Sequence, residues 1–116
     1  MKHLALITKN IKGREWQFIL YSDKNFDKIH NPNGEGNAAM TVSAKYEVHF
    51  SKSEWDVSTI RHELTHAYFA MTNTGSAVLT QLQTEEILCE IVGAHGLELC
   101  TLADSISECF LNHNRG

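Results

Sequence analysis

The sequence lacks the features that mark secreted, membrane or nucleic-acid-binding proteins. Its three cysteines are too few and odd in number for a disulfide framework. The apolar run near the N-terminus, Leu4 to Ile7, is too short for a signal peptide or a membrane span. Long basic runs are missing and the net charge is −4, so a nucleic-acid partner is not expected. We therefore expect a cytoplasmic protein that binds neither nucleic acid nor membrane.

Proline is nearly absent as well. The one proline, Pro32, lies in the segment Asn31 to Asn37 together with two glycines, which predicts a loop rather than a domain linker.

A length of 116 residues with 42% hydrophobic residues suits a single domain over residues 1–116. The cysteines, which we expect to be buried reduced thiols in helices, are Cys89, Cys100 and Cys109.

Strand patterns precede helix patterns along the chain, which indicates an α+β fold. Strands are predicted over 3–8, 15–22, 38–42 and 46–50, and a short helical turn fits within 22–30. The last two strands should form a hairpin around Ser43 to Lys45, with Tyr46, Val48 and Phe50 on one face. We expect a small, mostly antiparallel sheet with an exposed edge strand.

Two or three helices should follow this sheet. Ser53, with Asp56 three positions later, predicts the start of a helix that runs to about Thr72. A second helix should begin near Thr80, and a third helix or its kinked continuation covers Leu97 to Leu111.

The first of these helices carries the strongest functional motif, His62-Glu63-Leu64-Thr65-His66. A spacing of four residues places both imidazoles on one helical face, one turn apart. Imidazole nitrogens in such an arrangement suit zinc. Glu63 lies about 100° round the helix from His62, which suits a base that acts on metal-bound water.

Glu86 and Glu90 are the candidates for a further zinc ligand and for a partner of a zinc-bound histidine. They are four residues apart, on a helical face that reads as a packing stripe and would therefore need partners for their charges. Gly93 should let the two helices approach closely. The other members of this stripe are Leu82, Cys89, Gly93 and Leu97.

These residues resemble the thermolysin-like gluzincin metallopeptidases, whose zinc motif also reads HELTHA. The resemblance covers residues 37 to about 90 and implies a minimal zincin-like fold with an active-site helix and a second, ligand-bearing helix. It implies that Glu86, twenty residues after His66, is the third zinc ligand rather than its neighbour Glu85. The residue four positions further on, Glu90, then orients His62.

The same resemblance implies a substrate-binding edge strand. Thermolysin-like enzymes bind the substrate backbone through an Asn-Ala pair, and Asn37 and Ala38 occupy the corresponding place here. An edge strand can accept an extended peptide as one more strand. The large helical domain that follows the zinc site in those enzymes has no counterpart, because only 50 residues follow His66.

Together these patterns predict a Zn²⁺-dependent metalloendopeptidase in which Glu63 is the general base and His62, His66 and Glu86 bind the metal. The substrate should be a peptide or protein of narrow range, as in the small intracellular proteases that cut phage or stress repressors, and a phage or prophage origin fits the size. The alternative is a non-catalytic zinc-binding module with Cys89 as a fourth ligand. The sequence does not determine the oligomeric state.

Overall fold

The computed structural model describes residues 2–73 and 79–115 and has an α+β architecture. A short helix, α1, takes the place of the helical turn expected before the proline-containing loop. No helix in the described ranges has the length and apolar character needed to cross a bilayer. The elements are β1 (Ala5–Ile11), β2 (Arg14–Tyr21), α1 (Asp23–His30), β3 (Ala39–Val42), the 3-10 turn η1 (Ser43–Lys45), β4 (Glu47–Ser51), α2 (Val57–Thr72) and α3 (Gln81–Arg115).

The four strands form one mixed sheet in the order β1-β2-β4-β3. The outer pairs, β1 with β2 and β3 with β4, are antiparallel, whereas β2 and β4 in the centre are parallel. The predicted hairpin of β3 and β4 is confirmed, and β3 lies at one edge of the sheet.

The two faces of the sheet carry different layers. Alternate side chains of the central strands, such as Phe18 and Phe50, point to α2 and α3 and belong to the main core with Leu64. The opposite face packs Ile19 and Tyr21 against Phe26 of α1. Both faces of β2 are therefore covered, which explains why its last residues are all buried.

Tyr46 does not belong to β4, contrary to the sequence-based expectation. It ends the turn after η1 in the left-handed conformation, with φ of 55° and ψ of 46°. Its ring packs nearly perpendicular to that of Trp16, with the ring centroids 5.5 Å apart, and the Arg14 guanidinium lies 3.9 Å from the Tyr46 ring centroid. Pairing with β3 therefore begins at Glu47, which faces Val42.

The N-cap of α2 is Asp56 and not Ser53. The Asp56 carboxylate accepts hydrogen bonds from the backbone N–H of Thr59 at 2.7 Å and from its hydroxyl at 2.9 Å. Ser53 instead donates its backbone N–H to Asp23 of α1 at 2.9 Å. The predicted end of this helix at Thr72 is confirmed.

A single continuous helix, α3, replaces the two helices or kinked pair that were considered. Its second half packs on the sheet and α2 through Leu99, Ala103, Ile106 and Phe110. In its first half, over residues 81–98, Ile91 is the one buried side chain. The helix thus has one half that belongs to the core and one half that is largely solvated.

The predicted packing stripe of α3 was wrong, because it lies on the solvent side. Leu82 is 64% exposed and Leu97 is 85% exposed. A Cβ atom added to Gly93 would meet nothing within 4 Å, so no other described part of the chain packs closely against this glycine. The core instead takes the opposite face of the helix, which includes Ile91 and Leu99.

The expectation that the cysteines are buried was also wrong. Cys89 and Cys100 are exposed on α3, and Cys109 is half-buried. All three are free thiols.

Replacing Phe110 with alanine should destabilise the protein by about 3–5 kcal/mol, since it leaves a cavity where the end of α3 meets the sheet. The Phe110 ring lies 5.4 Å from both Phe50 and Trp55. Urea unfolding measures the loss. Leu111→Ala, at a neighbouring exposed position, should change stability by less than about 0.5 kcal/mol. Equal losses in the two variants would contradict this packing of α3.

Candidate metal centre

Helix α2 presents His62 and His66 side by side on its surface. Both residues are exposed, and their ring centroids are 5.0 Å apart. The predicted stacking of the two imidazoles on one helical face is therefore confirmed.

Glu63 lies between the histidines in sequence but is buried, with 9% of its side chain exposed. Its Oε1 accepts a hydrogen bond from the Thr41 hydroxyl at 3.0 Å, and the same hydroxyl lies 3.3 Å from the Glu63 carbonyl oxygen. Its Oε2 lies 3.7 Å from His62 Nε2. One carboxylate oxygen is thus fixed by the edge strand while the other lies beside a metal-ligating candidate.

Sequence reasoning did not identify Thr41. Thr41 faces Val48 in the β3–β4 register, so its side chain points to the helix-bearing face of the sheet. Had β4 started at Tyr46, a register shifted by one residue would have turned Thr41 to the other face. The left-handed conformation of Tyr46 therefore determines the contact between Thr41 and Glu63.

A solvent-open cleft of about 290 Å³ lies between the edge strand and α2. Glu63 and His66 line it from the helix, and Thr41 lines it from the strand. Apolar and small residues form the rest of its wall, namely Met40, Ser43, Phe69 and Ala70. The Glu63 carboxylate and the His66 imidazole therefore face the same solvent-open cleft.

The donor atoms in this region could hold a metal ion. One ligand atom from each of His62, Glu63 and His66 lies within 4.8 Å of the others, and this is the one such group of three found in the described part of the chain. Two nitrogens on a tetrahedral zinc are roughly 3.4 Å apart, given bond lengths near 2.0–2.1 Å. Small side-chain rotations of the two exposed imidazoles would reach that spacing.

The structure does not bring Glu86 into this group. Glu86 is exposed and lines a shallow cleft of about 260 Å³ near the start of α3, together with Glu90. Glu85 and Cys89 are exposed on the same half of the helix. The roles assigned to Glu86, Glu90 and Cys89 therefore stay predictions.

Two contacts explain the separation. Arg61 lies 3.9 Å from Asp104, and the Tyr68 ring lies 5.4 Å from that of His95, so α2 and α3 run antiparallel. At a rise of 1.5 Å per residue, this register separates Glu86 on α3 from His66 on α2 by roughly 17 Å along the helix axis. The side of α2 that faces α3 carries Tyr68, where burial and then Glu98 raise the pKa of the phenol.

Asn37 and Ala38 line a different cleft, next to α1. The Asn37 side chain donates to the His30 carbonyl at 3.2 Å, and its backbone N–H donates to Asn31 Oδ1 at 2.8 Å. Both residues border a polar cleft of about 280 Å³ that also contains Asp23. Their predicted role in substrate binding stays a prediction, and the part of β3 beside Glu63 begins at Met40.

A chain of three polar side chains on the outer face of the sheet was also missed from the sequence. Buried His49 bonds to Glu47 Oε1 through Nε2 and to His30 Nε2 through Nδ1, both at 2.8 Å. Burial, followed by the charge of His49, lowers the pKa of His30. The predicted alternation of β4 placed Glu47 and His49 together, but the pairing with α1 needed the tertiary fold.

Comparisons with protein-family models, with curated proteins and with solved structures find no match for this chain. Its function must therefore be inferred from its own residues.

Acid should destabilise the protein through His30. Because the pKa of His30 is lowered from 6.5 in the folded state, the unfolded chain binds more protons, and stability falls as the pH drops below about 6.5. Thermal unfolding at pH about 7.5 and about 5.5, with a chelator present, measures the change. His30→Gln should reduce this dependence on pH, whereas His3→Gln, at an exposed position, should leave it intact. An unchanged pH dependence in His30→Gln would contradict the assignment.

Proposed function

We propose that this chain is a zinc-dependent metallopeptidase of the gluzincin type, with His62 and His66 as zinc ligands and Glu63 as general base. The observation that supports it best is the buried Glu63 carboxylate, which is held by Thr41, lines an open cleft and lies beside two exposed imidazoles. Burying a carboxylate is costly unless it is paired. A role as general base in the cleft would account for the burial of the Glu63 carboxylate.

The protein's own groups have separate tasks in this mechanism. Zinc, when bound, polarises the peptide carbonyl and makes water a stronger acid. Glu63 accepts the proton of the attacking water and passes it to the leaving amine. The hydroxyl of Thr41 fixes one oxygen of Glu63, so that the other oxygen keeps its orientation beside His62.

The substrate in this proposal is an extended peptide segment that lies along β3. The strand has a partner on one side alone, β4, within the four-stranded sheet. Its other edge offers backbone groups to an added strand. The Phe69 and Ala70 side of the cleft would receive an apolar side chain of the substrate.

The third protein ligand of the zinc is proposed to be Glu86, as the resemblance implies. To bring Glu86 to the histidines, α3 must break ahead of Leu99 and its first half must fold back along α2, because the second half belongs to the main core. The first half contributes one buried side chain, Ile91, so moving this part of the helix exposes little of the core. In such an arrangement Glu90 would follow Glu86 toward His62.

A second candidate function is a non-catalytic metal-binding module. It is favoured by the position of Glu63, whose carboxylate lies within 4.8 Å of ligand nitrogens of His62 and His66 and could itself bind the metal. If Glu63 binds the metal, it is not available as a base. The two candidates differ in what happens to zinc when Glu63 is changed.

Zinc titration should show one site per chain that depends on His62 and His66. His66→Ala should weaken zinc binding by more than about 100-fold, because loss of even an outer partner of a zinc ligand costs 10- to 100-fold. Glu86→Gln should also weaken it, while the neighbouring Glu85→Gln should not. The reverse order of the two glutamate variants would show that the third ligand has been misassigned.

Glu63→Gln should separate the two candidate functions. In the peptidase it keeps zinc but lowers cleavage of an unfolded protein substrate by about 10²- to 10⁴-fold, the usual contribution of a general base. Glu15→Gln, at an exposed position of β2, is the matched control and should stay active. Loss of zinc in Glu63→Gln would support the module instead, and unchanged cleavage would exclude the proposed mechanism.

A further inference from the structure

The first half of α3 has an apolar face that nothing in the described part of the chain covers. Leu82, Val92 and Leu97 are 64%, 74% and 85% exposed, far more than a helix in a core would allow. At 100° per residue, Leu82, Gly93 and Leu97 lie within about 60° of one another, and Val92 lies about 80° to the other side of Leu82, so the exposed apolar side chains span an arc of about 140°. We call this surface, formed by Leu82, Cys89, Val92, Gly93, Leu97 and Cys100, the outer face of α3.

The charge around the outer face has one sign. Between Arg61 and Arg115 the sequence contains no lysine and no arginine, whereas seven of its fourteen acidic residues lie there. With Arg115 included, residues 62–116 carry −6 and residues 1–61 carry +2, which together give the net charge of −4. Glu85 and Glu86 are exposed within the arc of the outer face, and Glu90 is exposed at its edge.

Two glycines within this half of the helix have no close packing neighbour among the described residues. A Cβ atom at Gly93 or at Gly96 would meet nothing within 4 Å. Glycine weakens a helix interior relative to alanine. The fold would thus be more stable with alanine at these positions, while a bare backbone lets a second helix approach closely.

From this combination we propose that the outer face of α3 binds a cationic amphipathic helix of a partner protein. The partner's apolar residues cover Leu82, Val92 and Leu97, and its flanking lysines or arginines pair with the glutamates. This proposal needs none of the residues near Glu63. It shares two exposed glutamates with the proposed zinc site, Glu86 and Glu90, which act here as surface charges.

A second copy of the chain and a lipid surface fit the outer face less well. Two α3 helices packed face to face would bring their glutamates together with no basic residue from the interacting halves to neutralise them. Anionic membrane surfaces attract basic helices and repel acidic ones.

The binding test uses a fluorescent amphipathic helix built from leucine and lysine, with leucine at the helical 3–4 spacing, and measures anisotropy with the full chain. A peptide of the same composition in scrambled order is the control probe. The ordered peptide should bind at least about 10-fold more tightly, and added salt should weaken it. Equal binding of the two peptides, or no binding of either, would overturn the proposal.

Variants then locate the site. The double variant Val92→Ser with Leu97→Ser should lose at least about 10-fold in affinity. The matched control, Leu6→Ser with Leu111→Ser, changes exposed apolar residues outside the outer face and should bind as the wild type does. Loss of binding in the control but not in the first variant would overturn the assignment.

Gly93→Ala gives a readout that a merely weakened fold cannot imitate. It should raise the melting temperature, because alanine favours the helix, and yet reduce peptide affinity, because its methyl group keeps the partner away. Affinity that rises together with stability would overturn the close approach at Gly93.

Sedimentation of the wild type as a dimer that the Val92→Ser, Leu97→Ser variant dissociates would assign the face to a second copy instead. Vesicle binding lost in that variant would assign it to lipid, and either result would overturn the proposal.

Discussion

The position of the candidate metal centre depends on the turn between β3 and β4. Tyr46, with a positive φ, adds a fourth residue to that turn and so determines which residues of the hairpin face each other. The resulting register directs Thr41 to the helix-bearing face, where it meets Glu63. Trp16 and the Arg14 guanidinium pack on the Tyr46 ring and hold the turn in this conformation. A non-glycine residue in the left-handed region is uncommon, and here its side-chain contacts account for it.

The sheet separates two sets of titratable groups. Glu63, His62 and His66 belong to the helix that covers one face, and the chain of Glu47, His49 and His30 lies on the other. Because β4 contributes to both faces in alternation, Val48 contacts the main core while His49 is buried under α1. The same short strand therefore supports a solvent-open site and a closed polar network.

Much of the architecture could be predicted from local signals. The α+β order, the hairpin, the loop at 31–37 and the helix bearing His62 and His66 all follow from periodicity, turn residues and spacing. The errors have physical causes. Asp56 rather than Ser53 caps α2, since Asp23 engages Ser53 from a distant part of the chain. On α3, two apolar stripes of helical period compete, and the sequence alone does not say which one the sheet covers.

The site is less predictable than the fold, because its geometry depends on contacts between distant segments. The spacing of His62 and His66 within one helix predicts their proximity directly. The place of Glu86 depends instead on how far α3 is displaced along α2, a quantity fixed by contacts such as Tyr68 with His95. No local pattern encodes this displacement.

The unequal burial of α3 divides one continuous helix into two cooperative units. Residues from Leu99 onward can open to solvent only when the main core opens, so their amide hydrogens should exchange at the rate of global unfolding. The first half can fray from its N-terminal end while the sheet and α2 stay intact, with Ile91 and the partly buried Ile87 leaving the core. Any ligand that binds the ordered form of this half therefore draws on a local folding equilibrium, and its apparent affinity includes the free energy of forming that segment.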